Sequence, residues 1–285
     1  METPFLTIIY FTLLSCLLQT VGNSQQKTSF EEFAKQQAVA TQSGKPIDQF
    51  SVTFPDASIT DAEKARKTYE AQLSDHKSFA GIKGAVVGKG GQTHFQIENP
   101  LSATLFREGW ISGRYPEIKI RDGADPGIET EIGIVLKKPI TEPVASIEEL
   151  KTYIDYLVPV IELPAGRHNW SKPPTATDLI VANVFSDNYI VGDAFTDLSI
   201  DIDAVTIQLF RENQIINETN GGDANNGQWW NFLYQVNWAI ANSYTLKPGN
   251  LVITGALGKI NKTGSGNYRA DFGKLGEITF RLVKL

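Results

Sequence analysis

Apolar positions recur along this chain in two rhythms, one of period near 3.6 and one of period 2, and each predicts a different element. Residues 25–57 carry little apolar periodicity before Phe50 and are rich in Gln, Ser, Thr and Lys. They predict a short helix over Phe30–Gln37 and then an extended lead-in. Thr60-Asp61-Ala62-Glu63 has the form of a capping box and predicts a helix to about Leu73. Ser146-Ile147-Glu148-Glu149 is a second such box, and Ile147, Leu150, Ile154 and Leu157 behind it make one apolar stripe. That pattern predicts a helix over residues 146–157, and a third helix is expected over Trp229–Asn242. Strand-like stretches are Ile82–Val87, Glu117–Ile120, Glu131–Leu136, Leu179–Val184, Ala204–Phe210, Leu251–Thr254 and Glu277–Val283. Gly and Asn gather at the expected turns Asn217–Gly227 and Gly264–Asn267. Many strands, few helices and no strand–helix alternation point to an α+β protein dominated by curved sheets.

Composition changes this picture only at the N-terminus. The 285 residues are 41% hydrophobic and 20% charged, which suits a chain able to bury a substantial core. A net charge of −6 with no basic run argues against a nucleic-acid partner. Pro4 to Leu18 is an apolar run followed by Gly22, Asn23 and Ser24. It is short for a membrane span and suits a secretory signal, with cleavage after Ser24. The other reading is an uncleaved anchor, since Glu2 stands where a basic residue is usual. The chain then divides into a signal peptide over 1–24, an N-terminal helical extension over 25–78 and a main domain over 79–285. The expected location is outside the cytoplasm, periplasmic or secreted. Leu13-Leu14-Ser15-Cys16 also resembles an imperfect lipoprotein box. Cys16 is the only cysteine, so a cleaved chain has no disulfide, no thiolate nucleophile and no zinc–thiolate site.

The candidate chemistry lies in three carboxylates. Glu129 and Glu131 open an apolar strand, and residues two apart on a strand face the same way. Two like charges so close raise each other's pKa unless a cation neutralises them. An all-oxygen donor set suits Mg²⁺, Mn²⁺ or Ca²⁺. Glu162 is embedded in Val158-Pro159-Val160-Ile161-Glu162-Leu163, and a buried Glu needs a partner. A strand–helix–strand return through residues 146–157 would bring it beside the pair. From spacing alone a second reading stands: Glu129 and Glu131 form a solvated strand end, and Glu162 pairs with Arg167 or a lysine.

From about Gly81 to Leu282 the sequence resembles the 2-keto-4-pentenoate hydratase branch of the fumarylacetoacetate hydrolase superfamily, as a divergent member. The matching stretches include Gly81-Ile82-Lys83-Gly84, Thr104-Leu105-Phe106, Ile128 to Leu136 and Val158 to Glu162. Further matches are Asn183, Tyr189-Ile190-Val191-Gly192, Leu246 to Gly258 and Ala270 to Gly276, in order and nearly without gaps. The resemblance implies a rolled mixed β-sheet core with flanking helices over 79–285, and homo-oligomeric assembly. It implies that Glu129, Glu131 and Glu162 ligate Mg²⁺ or Mn²⁺. The implied substrate is a small 2-keto or 2-hydroxy-dienoic acid that chelates the metal. Glu162, where carbon–carbon hydrolases of the superfamily have Asp, favours hydration or decarboxylation. Lys83 matches a family lysine that holds the substrate carboxylate or moves a proton; the alternative is a strand lysine facing water. Leu101, Asn183, Phe185 and Gly255 fall at substrate-binding positions.

Departures concern proton handling. The family's Asp after the proline of Glu98-Asn99-Pro100 is here Leu101, which relays no proton. In the family's Ala-Asp-Asn-Ala-Ser run this chain keeps only Asn183, and Phe185 stands where a small polar residue is usual. General acid–base groups contribute about 10²–10⁴-fold to rate, so the loss implies altered chemistry or weaker hydration. His94, seven residues before Leu101, is the candidate replacement catalytic group, and His168 a second; the bland reading makes both surface residues.

Overall fold

The computed structural model describes residues 28–120, 126–168 and 170–285. The apolar run, Cys16 and the expected cleavage point lie outside the described residues. Three helices come first, α1 (Phe30–Gln42), α2 (Phe50–Thr53) and α3 (Ile59–Ser74). The chain continues as β1 (Phe79–Ala85), α4 (Lys89–Phe95), β2 (Leu101–Phe106), β3 (Trp110–Ile111), β4 (Glu117–Ile120) and β5 (Gly127–Leu136). Next are α5 (Ile147–Lys151), β6 (Ile154–Leu163), α6 (Ala176–Val181), β7 (Asn188–Val191), β8 (Thr206–Arg211) and β9 (Gln214–Asn220). The last elements are α7 (Gln228–Ala241), β10 (Leu251–Ile253), β11 (Leu257–Lys262), β12 (Gly266–Asp271) and β13 (Glu277–Lys284). Among the described residues no helix is long and apolar enough to cross a membrane.

The strands form two sheets, an eight-stranded one ordered β2-β1-β10-β5-β6-β7-β3, with β11 also on β5, and a five-stranded one ordered β4-β13-β12-β8-β9. Only β1–β10, β3–β7 and β4–β13 pair in parallel, so the α+β, mixed-sheet architecture expected from the sequence is the one observed. Alternation along β5 and β6 sorts side chains onto two faces. Ile128, Ile132, Ile134, Leu157 and Ile161 enter the main core, which also takes Phe232 and Val236 of α7 and Tyr268 and Phe280 of the second sheet. The opposite face carries Val135, Val158, Val160, Leu251 and Ile253, a smaller apolar cluster that borders the carboxylates. A third cluster joins Phe33, Tyr69 and Leu73 of α1 and α3 to Leu101 and Ala103 of β2 and Ile180 of α6, so these helices share a core with the sheet edge.

Several elements differ from the sequence expectation. Helix α3 is capped two residues earlier, by Ser58, whose hydroxyl accepts from Asp61 N while the Asp61 carboxylate accepts from Ser58 N. Such a box contributes about 1 kcal/mol. The helix expected over 146–157 stops at Lys151, and Ile154 and Leu157 belong to β6. Their helical spacing to Ile147 and Leu150 is a coincidence of a helix and a strand burying into one core. Pro159 and the β-branched residues around it favour the extended form. The strand expected over Leu179–Val184 is instead α6, started by the Thr175–Asp178 capping box, followed by a tight turn. β2, β3, β7, β9, β11 and β12 have no counterpart in the expected strands, and β9 and β12 overlap stretches expected to be turns.

Candidate metal centre

The central pair of the large sheet sets the geometry. β5 and β6 run antiparallel with Glu129 directly opposite Glu162. Glu131, two residues along, therefore shares their face. Directly opposed like charges destabilise a ladder, so sheet stability does not explain them. An oxygen from each of the three carboxylates lies within 4.8 Å of the others. Glu131 and Glu162 are 0% exposed and Glu129 only 7%.

Lys83 enters from β1. Its register partner Ile253 lies opposite Gly133, which puts Lys83 on the carboxylate face of β5 with β10 between. The ammonium is 2.5 Å from Glu162 Oε1 and donates also to the Val184 carbonyl at 3.2 Å. At 1% exposure it is the only cation paired with the carboxylates among the described residues. The strand-lysine-facing-water alternative is thereby excluded. Of the partners the second reading gave Glu162, the structure shows the lysine and not Arg167, and burial of Glu129 and Glu131 rules out its solvated strand end.

Each of the two fully buried carboxylates has one oxygen tethered and one free. Glu162 Oε1 is held by Lys83, and Glu131 Oε2 accepts from Gly255 N at 2.8 Å. Glu131 Oε1 and Glu162 Oε2 are buried without a hydrogen-bond partner among the described residues. An unpartnered buried carboxylate oxygen costs several kcal/mol by order of magnitude, and proteins retain such atoms where something else satisfies them. Burial raises the Glu129 pKa to about 8, with Lys83 opposing and Glu162 adding to the rise. Burial and Glu162 hold Glu131 well above the ordinary range, against Lys83. Burial alone would lower Lys83, but Glu162, Glu129 and Glu131 outweigh it and raise its pKa. Three carboxylates around one ammonium form an all-oxygen donor set that fits a hard divalent cation.

The remaining sequence candidates divide. Gly255 is at the site, with φ of +98° and a position where a Cβ would sit 2.9 Å from the Gly84 carbonyl. Leu101 begins β2, buried and apolar, in the cluster with Ala103 and Val184. The Asn183 amide is engaged within the protein. Its Oδ1 accepts from Thr104 N at 2.9 Å and its Nδ2 donates to Thr104 O at 3.0 Å, so it closes the free edge of β2. Phe185 is half-buried and packs on Trp170, with ring centroids 5.0 Å apart. His94 is exposed at the end of α4, edge-on to Phe95, and makes no hydrogen bond or ion pair with the carboxylates among the described residues. His168 is exposed too, against Trp170.

Two features of the site escaped the sequence reading. One is a run of three left-handed residues, Asn183, Val184 and Phe185, with φ of 49°, 45° and 55°. For the β-branched Val184 this is a true outlier, of the kind that costs about 1–3 kcal/mol and collects at functional sites. The turn aims the Val184 carbonyl at Lys83. The other is a row of buried amides, Gln228, Asn231 and Gln235, at helical spacing on α7. Amides at i, i+3 and i+7 in a mostly apolar helix were a legible signal of it.

The profile of the fumarylacetoacetate (FAA) hydrolase C-terminal family matches residues 58–281. A 2-keto-4-pentenoate hydratase of Paraburkholderia xenovorans is 26% identical over 232 residues, covering 80% of this chain and 85% of that protein. A 2-oxo-hept-4-ene-1,7-dioate hydratase of Escherichia coli is 24% identical, covering 83% of this chain and 91% of its own length. Among solved structures, 4-oxalocrotonate decarboxylase from Pseudomonas putida, complexed with magnesium and adipate, superposes with a TM-score of 0.80 at 17% identity. That match covers 89% of this chain and 97% of the other.

Proposed function

We propose, from the premise that the chain belongs to the fumarylacetoacetate hydrolase family, that it is a divalent-metal-dependent lyase, a hydratase acting on a small 2-hydroxy-dienoic or 2-keto acid. The observation that carries this reading is the pair of buried oxygens on Glu131 and Glu162, without a partner among the described residues, beside Glu129 and the Lys83 ammonium. Glu129, Glu131 and Glu162 would hold Mg²⁺ or Mn²⁺. When bound, such an ion supplies Lewis-acid stabilisation of the negative charge that builds on an α-keto acid as it enolises. The protein's own groups do the rest. Lys83, fixed between Glu162 and the Val184 carbonyl, presents a proton-bearing Nζ to the substrate's acid end. Leu101 and Phe185 furnish an apolar wall for the hydrocarbon part. The names of the similar hydratases and their near-full coverage support this substrate class.

The test is direct. Purified protein with Mg²⁺ or Mn²⁺ and 2-hydroxypenta-2,4-dienoate is expected to show metal-dependent loss of the dienol absorbance. Absence of turnover on this and related dienoates retires the hydratase reading. Leu101 favours a second reading, a protein that keeps the metal and keto-acid pocket without turnover, because a buried leucine stands where an acid–base group is expected. Metal-dependent oxalate binding without reaction on any dienoate or acylpyruvate would select it. Export and homo-oligomeric assembly belong to the same proposal. A mature N-terminus near residue 25 and a light-scattering mass above that of one chain are the expected results.

A further inference from the structure

Glu131 can offer Oε1 to a cation only because its other oxygen is held elsewhere, and the holding group is a backbone amide. The Gly255 N–H belongs to the peptide unit linking Thr254 to Gly255. That unit is planar, with its carbonyl and its N–H pointing in opposite directions. The carbonyl end, Thr254 O, accepts from Asn231 Nδ2 at 2.9 Å. One rigid peptide thus has a side-chain donor of α7 at one end and a carboxylate of β5 at the other.

The surroundings leave this peptide few other ways to be held. β10 ends at Ile253, and Thr254 makes the last ladder contacts, its N–H to Ile132 O at 3.0 Å and its hydroxyl accepting from Ile132 N at 3.2 Å. Gly255 then turns away with φ of +98°. The peptide lies against Gly84, where a Cβ would come within 2.3 Å of Thr254 O. Asn231 is 0% exposed, and a buried amide is retained only when its hydrogen bonds are used. Hydrogen bonds in series also polarise one another, so a donor on Thr254 O strengthens the Gly255 N–H as a donor.

We infer that Asn231 is a positioning residue for Glu131. Through the 254–255 peptide it pins Glu131 Oε2 and leaves Oε1 as the oxygen available to the cation. The inference rests on the metal-centre reading above, and its experiment separates the two. Asn231→Leu removes the donor at similar volume, and Asn231→Ala removes it with a smaller side chain should the leucine variant fold poorly. Asn237→Leu on the same helix is the control. It deletes two amide bonds to Val144, far from any carboxylate of the site in sequence and bonding.

In metal-free protein, hydrogen exchange of the Gly255 amide is expected to quicken about tenfold or more in either Asn231 variant and to stay unchanged in Asn237→Leu. The Mg²⁺ or Mn²⁺ dissociation constant is expected to rise about tenfold or more in the Asn231 variants, as for other groups that orient a metal ligand. Unchanged Gly255 exchange, or equal weakening of metal binding in Asn237→Leu, overturns the inference. If the wild-type protein binds neither ion, the metal-centre reading falls, and the Gly255 exchange rates still decide whether Asn231 holds the peptide.

Discussion

Two groups of buried charge are joined indirectly through Thr104, which donates to Glu70 and is bonded to Asn183 next to the Val184 carbonyl that Lys83 meets, and they are built on opposite plans. The Arg66 cluster is complete. Its guanidinium donates to Glu63 at 2.9 and 2.6 Å, to Glu70, and to the Tyr244 hydroxyl at 2.8 Å. Tyr244 and Thr104 donate in turn to Glu70, and the Trp238 ring covers the guanidinium at 4.7 Å. None of these side chains has a buried polar atom without a partner. The carboxylate cluster sets three acids against one lysine and leaves two oxygens unpartnered. A charge cluster that closes on itself fastens α3 to the sheet. One that stays open keeps a place for something brought from outside.

The largest expected effect tests this distinction. Glu131→Gln and Glu162→Gln should weaken metal binding by more than about 100-fold, beyond the range for groups that only orient a ligand. The same Glu131→Gln change should leave the metal-free melting temperature at pH 8 equal or higher, because it removes a carboxylate whose charged form burial and Glu162 penalise. Glu70→Gln should do the reverse, costing about 3–5 kcal/mol by leaving Arg66 under-paired, with metal affinity of the folded protein kept. Equal behaviour of the two clusters in paired melting and titration experiments would erase the contrast.

A second expectation concerns pH. Glu129 titrates near 8 in the fold against an ordinary 4.5, so the native state holds this proton more tightly than the unfolded chain. That advantage is complete below the ordinary value and is lost as pH rises toward 8. Metal-free stability, followed by urea melts, should therefore fall between about pH 5 and 8. Metal at 100 times its pH 8 dissociation constant should add about 2.7 kcal/mol at pH 8, reversed by chelator, and the same metal concentration should add less at pH 5, where protons compete for the carboxylates. A metal-free protein whose stability rises over that interval contradicts the arrangement. The smallest effect is at the junction. Thr104→Val should cost about 1 kcal/mol through Glu70 and leave metal affinity within about twofold.

Much of the site was legible because its chemistry is written in side chains on one strand pair. Glu129-Thr130-Glu131 declares its common face by spacing, and Glu162 announces itself as a carboxylate in apolar sequence. The sheet-rich fold followed from period-2 runs such as Ile132 to Leu136. What the sequence hid was work done by backbone or by coincidence of spacing. Ile154 and Leu157 fitted a helical stripe while lying in β6, and Leu179–Val184 read as a strand because a short buried helix is apolar on every side. Asn183 suggested a ligand contact through the family resemblance, yet its partners are the main chain and hydroxyl of Thr104, brought beside it only by the tertiary fold. His94 lay close to Leu101 along the chain and projects to solvent.

The left-handed run at residues 183–185 bears on how relatives of this protein should be aligned and compared. Lys83 meets position 184 through its carbonyl, so the side chain there bears on packing alone: any residue able to sit in that conformation and fill the space of the buried Val184 delivers the same oxygen. Drift at 184 would carry no message about the chemistry. Drift at 183 would, because losing the Asn amide unfastens the loop from β2 and withdraws an oxygen that no comparison of side chains would have counted.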